Sequence, residues 1–251
     1  MTNLYGDLRP DATDLPNPRR ALAIGAHPDD AEFGAGGTLI RWGRSGTVVS
    51  LLVMTDGSKG SWDPSADPAE LAAVRHAETL QAAEVLGCED VEFFGAVDGE
   101  LRATPAAVER VSRHIRRRRP DVVLTHDPWQ RYQLHPDHRA TGWIVVDAVV
   151  SARDPHFFPH QIAEGLLPHR PSALLLWSAD EPDHWEPIDV TLEQKIDALL
   201  CHSSQSATTM GDAHLGGPAR AAFEGRMTAW AARQGEAAGL AAAESFRRLT
   251  P

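Results

Sequence analysis

The sequence predicts an α/β fold: a doubly wound, mostly parallel sheet with helices on both faces. Two observations lead there. Four short segments, at 21–25, 48–54, 121–125 and 173–177, are nearly continuous runs of apolar residues, the pattern of strands covered on both faces. Segments of helical composition alternate with them, which is the order of a parallel α/β sheet.

In chain order, residues 1–19 read as a weakly structured arm and 21–25 as the first strand. The turn that follows, 26–37, is rich in charge and glycine, and a helix start is expected at 38–43. A strand at 48–54 leads into a polar Gly/Asp/Pro loop at 58–68, then a helix at 69–86 with Gly87 as its C-cap. The third strand is 91–94. Thr104 and Pro105 form an N-cap and first-turn pair for a helix reaching Arg118. After strand 121–125 comes a loop at 128–134, then a helix opening at His135 and running to Val150. Residues 151–171 read as irregular, 173–177 as a strand, and 188–190 as a short strand. Thr191 caps a helix to Leu200, 203–217 read as loop, and the alanine-rich 218–243 as helix. With no internal repeat and no dividing linker, residues 1–251 are read as a single domain with its core at about 20–205 and a helical extension over 206–251.

Composition narrows the function. A formal net charge of −11 excludes nucleic acid as a partner of the whole chain. The basic run Arg116–Arg119 falls at a helix C-terminus, where cations favour the helix dipole, and is read as solvated. No segment has the length of apolar sequence a membrane span needs, and the first twenty residues lack a signal-peptide pattern. Two cysteines, Cys88 and Cys201, are too few for a disulfide framework. These features predict a cytoplasmic location.

The chemistry concentrates in a tripeptide that occurs twice. His-Pro-Asp stands at 27–29 and again at 135–137, each time after a strand and before a helix, followed by Asp30 or His138. In open α/β sheets, ligands bind beyond the carboxyl ends of strands. Two such turns at neighbouring strand ends can converge on one ion. His27, Asp30 and His138 make the two-imidazole, one-carboxylate set of a catalytic Zn²⁺ site, a set that also accepts Fe²⁺ or Co²⁺. Asp29 is then left beside the metal as a general base. Simple helix capping, the bland alternative, does not call for histidine twice.

The stretch from Ala26 through Leu39, with His135-Pro136-Asp137-His138, resembles the PIG-L/LmbE-like family of zinc-dependent N-deacetylases. Thr55-Asp56-Gly57, the Arg75, Glu78 and Leu86-Gly87 helix, and Lys195 with 202–205 also look like that family, so the similarity covers about 20–205. The resemblance implies a Rossmann-like fold, zinc on His27, Asp30 and His138, and Asp29 as base. It implies that His135 stabilises the oxyanion or protonates the leaving amine, with Asp137 orienting its ring. It implies as substrate a small N-acetylglucosamine-type conjugate, which loses acetate to give a free amine. An amidase acting on larger thiol conjugates, or a tailoring deacetylase of a natural-product precursor, is the alternative. One departure stands out: where mycothiol-pathway members have tyrosine then glycine before the second motif, this chain has Gln133 and Leu134.

Other residues carry weaker signals. Arg75 and Asp98 are candidates for substrate contact, against a helix ion pair and a turn aspartate respectively. His126 and Asp127 are candidates to support the metal site, and His202 reads rather as a surface histidine. Trp62, Trp129 and Trp185 lie in loops and could stack on a sugar, though packing on the domain's own surface is favoured. His156, His160, His184 and His214 receive no role. A nucleotide-binding module is the rival from another class, but Gly34, Gly36 and Gly37 lack the G-x-G-x-x-G spacing and follow acidic residues. A homo-oligomer is compatible with the sequence.

Overall fold

The apolar runs become the centre of one sheet. Residues 15–251 are described by a computed structural model; the arm expected over 1–19 falls largely outside them. Strands β1 (Arg20–Gly25), β2 (Val48–Thr55), β3 (Asp90–Ala96), β4 (Val122–His126) and β5 (Ala173–Trp177) are parallel to their neighbours. Two further strands, β6 (His184–Pro187) and β7 (Ala243–Leu249), join at one edge in antiparallel sense, giving the order β3-β2-β1-β4-β5-β7-β6. The order reverses between β1 and β4. That reversal opens a crevice at the strand ends, where the two His-Pro-Asp turns stand.

Side-chain alternation along β1 sorts the two faces. Leu22 and Ile24 pack with α3 (Pro105–Arg118) and α4 (Pro136–Arg153). Ala21 and Ala23 pack with α1 (Asp30–Arg44), α2 (Pro68–Leu86) and α6 (Leu192–Leu200). Each large side chain buried this way is worth roughly 1.5–3 kcal/mol. The caps expected from sequence form: Thr104 Oγ1 accepts from Ala107 N–H, and Gly87 ends α2 at φ 73°. Among the described residues, no helix is long and apolar enough to cross a membrane.

Four expectations are corrected. First, α1 starts at Asp30 rather than near Thr38, so Gly34, Gly36 and Gly37 lie inside a helix, not in a phosphate-cradling loop. Their role is close packing: a Cβ would fall 2.5 Å from the Trp177 ring at Gly34 and 2.6 Å from Ile188 at Gly37. Second, 206–251 is not helical throughout. It holds a π-helical turn at Ser206–Met210, α7 (Gly217–Glu236) and strand β7, inserted between β5 and β6. The charges of β7 conceal its strand character, yet Glu244 is fully buried, accepting from the backbone N–H groups of Gly37 and Thr38 and from Lys195 Nζ. Third, β6 occupies His184–Pro187, ahead of the expected 188–190. Fourth, Arg116 is not solvated. It is 2% exposed and donates to the carbonyls of Ser151, Ala152, Asp154 and Phe157, at the electronegative end of α4. The short helix α5 (Pro159–Ala163) adds Gln161 Oε1 to the same group.

Candidate metal centre

The turn after β1 brings out three consecutive functional side chains. Asp29 is the N-cap of α1 but lies at φ 100°, ψ −21°, and its carboxylate makes no cap hydrogen bond. A non-glycine residue in this left-handed region carries local strain, a recurring feature of functional positions. The carboxylate, free of capping, faces Arg75, whose Nη2 lies 3.5 Å from Asp29 Oδ2 and donates to Pro28 O at 2.6 Å. Burial pushes the Asp29 carboxyl up to about 6, with Arg75 pulling the other way.

His27, Asp30 and His138 meet at the crevice. His27 Nδ1 is 3.2 Å from His138 Nε2 and 3.3 Å from Asp30 Oδ2, and His138 Nε2 is 3.3 Å from Asp30 Oδ1. Ligand atoms about 2.0 Å from a tetrahedral Zn²⁺ stand about 3.3 Å from one another, which is the spacing of the two imidazole nitrogens and of each nitrogen from one of the two Asp30 oxygens. The remote nitrogen of His27 favours the same reading. Nε2 faces Asp137 Oδ2 at 3.2 Å and Asp98 Oδ1 at 3.3 Å. A neutral His27 ring therefore carries its proton on Nε2 and keeps a lone pair on Nδ1, the carboxylate–histidine arrangement of metal sites. Burial disfavours the imidazolium of His27, yet Asp137, Asp30 and Asp98 together raise its pKa well above the usual value. Asp30 is held well below its usual value: burial opposes ionisation, and His138 and His126 outweigh it. The cluster is thus an electrostatic well for positive charge, and the residues fit a divalent cation.

Support for Asp30 comes from β4. His126 Nδ1 accepts from the Trp177 indole N–H at 3.1 Å. His126 Nε2 lies 3.1 Å from Asp30 Oδ2 and 3.3 Å from Ala26 N; because an indole can only donate, a neutral ring that accepts from Trp177 carries its proton on Nε2, toward Asp30. Burial pushes the His126 pKa down to about 4, which keeps the ring neutral near pH 7. In that tautomer His126 steers Asp30.

Two expected roles change. Asp137 does not orient His135 with its carboxylate. That group is fully buried on His27, and it accepts from the N–H groups of Gly99 at 2.6 Å and Leu101 at 3.2 Å. Only the backbone N–H of Asp137 reaches His135, donating to Nδ1 at 3.3 Å. The proton of a neutral His135 then sits on Nε2. Burial, with His27 and His138 alongside, lowers its pKa. Asp98, offered as a substrate contact, supports His27 and accepts from Lys59 N–H at 3.1 Å, although it also lines the crevice. Arg75 lines the crevice too, but its guanidinium is committed to Pro28 O, Gly57 O and Asp29.

Sequence reasoning misjudged His202 as a surface residue. It is fully buried with Nε2 3.2 Å from Glu32 Oε1. Burial disfavours its charged form, but Glu32 outweighs this and raises its pKa. Its partner, Glu32, lies 170 residues away in sequence, so no local signal announces the pair. Trp62 remains exposed and lines the crevice, whereas Trp129 packs edge-on against Trp143, with ring centroids 5.0 Å apart. The crevice as a whole encloses about 970 Å³.

The family described as GlcNAc-PI de-N-acetylase, PIG-L, matches residues 22–149. The diacetylchitobiose deacetylase of Thermococcus kodakarensis is 36% identical over 187 residues, which are 74% of this chain and 70% of that protein. The 1D-myo-inositol 2-acetamido-2-deoxy-α-D-glucopyranoside deacetylase of Kineococcus radiotolerans is 33% identical over 55% of this chain; the match covers 46% of the longer protein. Among solved structures, the N,N'-diacetylchitobiose deacetylase of Pyrococcus horikoshii superimposes with a TM-score of 0.83 at 30% identity, covering 93% of this chain and 84% of that one.

Proposed function

The chain belongs to the PIG-L family of de-N-acetylases, and we propose that it hydrolyses the acetamide of a small N-acetylglucosamine-type conjugate, giving acetate and a free amine, with a divalent cation on His27, Asp30 and His138. The observation that carries the metal reading is the pair of imidazole nitrogens 3.2 Å apart, each 3.3 Å from one oxygen of Asp30. Two imidazoles and a carboxylate suit Zn²⁺, and Fe²⁺ or Co²⁺ as alternatives. A cation held there supplies Lewis-acid polarisation and makes water acidic near neutral pH.

The chain's own residues supply the proton transfers. Asp29 accepts the proton of the attacking water. Its carboxyl sits near 6 before any cation is added, so it is ionised at neutral pH, and Arg75 fixes its position. His135, neutral with its proton on Nε2, donates a hydrogen bond to the developing oxyanion. The amine leaves with the proton returned from Asp29, while His135 keeps its proton as a hydrogen-bond donor. Asp98 and Asp137 hold the His27 ring, and His126 holds Asp30. These second contacts typically change metal affinity about 10–100-fold when removed.

The same reading takes 1–251 as one domain, because β7 from the C-terminal extension lies within the sheet. A cytoplasmic location is supported by the two free thiols, Cys88 and Cys201.

The test is primary-amine release from N-acetylglucosamine conjugates, with and without a chelator, beside metal content. Chelator-sensitive release is expected. Undiminished turnover by protein stripped of metal would overturn the metal reading, and metal-loaded protein inert toward every N-acetyl substrate would overturn the hydrolysis.

A further inference from the structure

Gly34 stands one helical turn after Asp30 on α1, so the two share a face of the helix. The space where a side chain of Gly34 would stand is filled by the Trp177 ring. A Cβ there would fall 2.5, 2.6 and 2.9 Å from three atoms of the indole, closer than packed side chains tolerate. Trp177 is aligned with His126 in the β4–β5 register, and the two rings meet edge to face with centroids 4.9 Å apart. The contacts close a path that returns to α1. Gly34 seats Trp177, Trp177 donates to His126 Nδ1 at 3.1 Å, and His126 Nε2 faces Asp30, on the helix that holds the glycine.

This path bears on a choice between two states of His126. Its Nε2 has two neighbours of opposite demand. Asp30 Oδ2 at 3.1 Å calls for a proton there, and the Ala26 N–H at 3.3 Å calls for a lone pair. One neutral tautomer braces the carboxylate. The other accepts from Ala26 and turns a lone pair toward Asp30. It also makes His126 a lone-pair donor beside Asp30 and His138, whose ligand atoms lie with its own within 4.8 Å of one another, close enough to share a cation. The indole N–H separates the two states, because it requires the lone pair on Nδ1 and so puts the proton on Nε2.

We propose that Gly34 is a positioning residue of the metal centre: by seating Trp177 it selects the His126 tautomer that braces Asp30 and withholds His126 from the cation. The inference rests on the metal reading and extends it to a residue with no side chain of its own. Gly37, on the same helix, packs as closely, since a Cβ would fall 2.6 Å from Ile188. Ile188, however, belongs to an apolar cluster with Ala231 and Ala242 rather than to a path toward a ligand. Close packing alone therefore does not reach the metal centre; the indole N–H behind Gly34 does.

The experiment reads histidine tautomers by nitrogen NMR of metal-free protein at neutral pH, with the His126 signals assigned by their loss in His126→Gln. It reads Zn²⁺ affinity by chelator competition. Wild type is expected to show His126 protonated on Nε2. Gly34→Ala and Trp177→Phe should both move it toward the form protonated on Nδ1, and both should weaken Zn²⁺ binding by the same factor, under about tenfold. Gly34→Ala added to Trp177→Phe should weaken binding no further, because the crowding persists but no indole N–H is left to displace. Gly37→Ala, whose damage is packing alone, should leave tautomer and affinity as in wild type. A wild-type tautomer in Gly34→Ala, or losses that add in the double variant, overturns the proposal. Should Gly34→Ala fail to fold, a wild-type tautomer in Trp177→Phe overturns it as well. The spectra need no cation, which separates the two readings. A tautomer shift in Gly34→Ala, when wild type binds no Zn²⁺, sinks the metal reading and keeps the seat. Zn²⁺ binding by wild type, with an unmoved tautomer in Gly34→Ala, does the reverse.

Discussion

The two His-Pro-Asp turns share a tripeptide and differ in everything else. In the first, α1 begins after the motif: Asp29 is the N-cap in a left-handed conformation, and His27 lies two residues outside the helix. In the second, His135 is itself the N-cap of α4, Pro136 is the first helical residue, and Asp137 lies inside the helix, fully buried. That offset of two residues exchanges the roles. The histidine of the first copy turns Nδ1 toward His138 and Asp30, while the histidine of the second uses its Nδ1 on its own helix terminus. The aspartate of the first, in a strained backbone conformation, faces Arg75, and that of the second is a brace behind His27. Residue type carries the chemistry, and helix register assigns the roles.

The sharpest way to break this comparison is to remove one carboxylate from each copy. Asp29→Asn keeps a side chain that tolerates positive φ and should lower kcat about 10²–10⁴-fold with metal content unchanged. It should also raise the Tm of the metal-free protein, because it removes a buried charge. Retained turnover would mean that the first copy does not supply the base. Asp137→Asn should act on the metal instead, weakening its affinity about 10–100-fold in a chelator competition. If metal binding survives while the chemistry fails, Asp137 belongs with the reaction after all.

Acid separates the same two groups. Protonated Asp29 cannot accept a proton, so kcat/KM should fall about tenfold per pH unit below its pKa. A bound cation favours the ionised form, so this limb is expected at or below about pH 6. The stability signs are opposite. The raised pKa of Asp29 gives the metal-free fold stability that is full below about 3.8 and lost as pH rises through about 6. His27 and the Gly99 N–H outweigh burial at Asp137 and lower its pKa, so its contribution is present above about 3.8 and lost as pH falls through the folded value. Melting temperature against pH in wild type, Asp29→Asn and Asp137→Asn checks both signs.

The smallest effect concerns the support of the first copy. Trp177→Phe removes the indole donor that sets the His126 tautomer and should weaken metal affinity by less than about tenfold, below the loss in Asp137→Asn. Equal affinity in Trp177→Phe and wild type would mean that Asp30 is oriented without this relay.

The strand runs, the caps at Thr104 and Gly87, and the convergence of His27, Asp30 and His138 were legible from residue order alone. Each depends on local periodicity or on motifs at strand ends. Other features were not legible. Nothing local marks Glu244 as buried; Lys195 and two backbone N–H groups surround it only in the fold. Likewise, Arg116 reads as one of four solvated arginines until the end of α4 closes over it.

What the sequence determined by itself, then, was the sheet, its alternating helices and the set of side chains able to bind a metal. Apolar runs, turn chemistry and donor types are local properties of the chain. What only the tertiary structure decided was which carboxylate braces which imidazole, that His126 and Trp177 steer Asp30, and that β7 and α7 return to complete the sheet and wall the crevice. Those depend on hydrogen-bond partners such as Asp137 and His27, 110 positions apart, which meet only when the strand order reverses between β1 and β4.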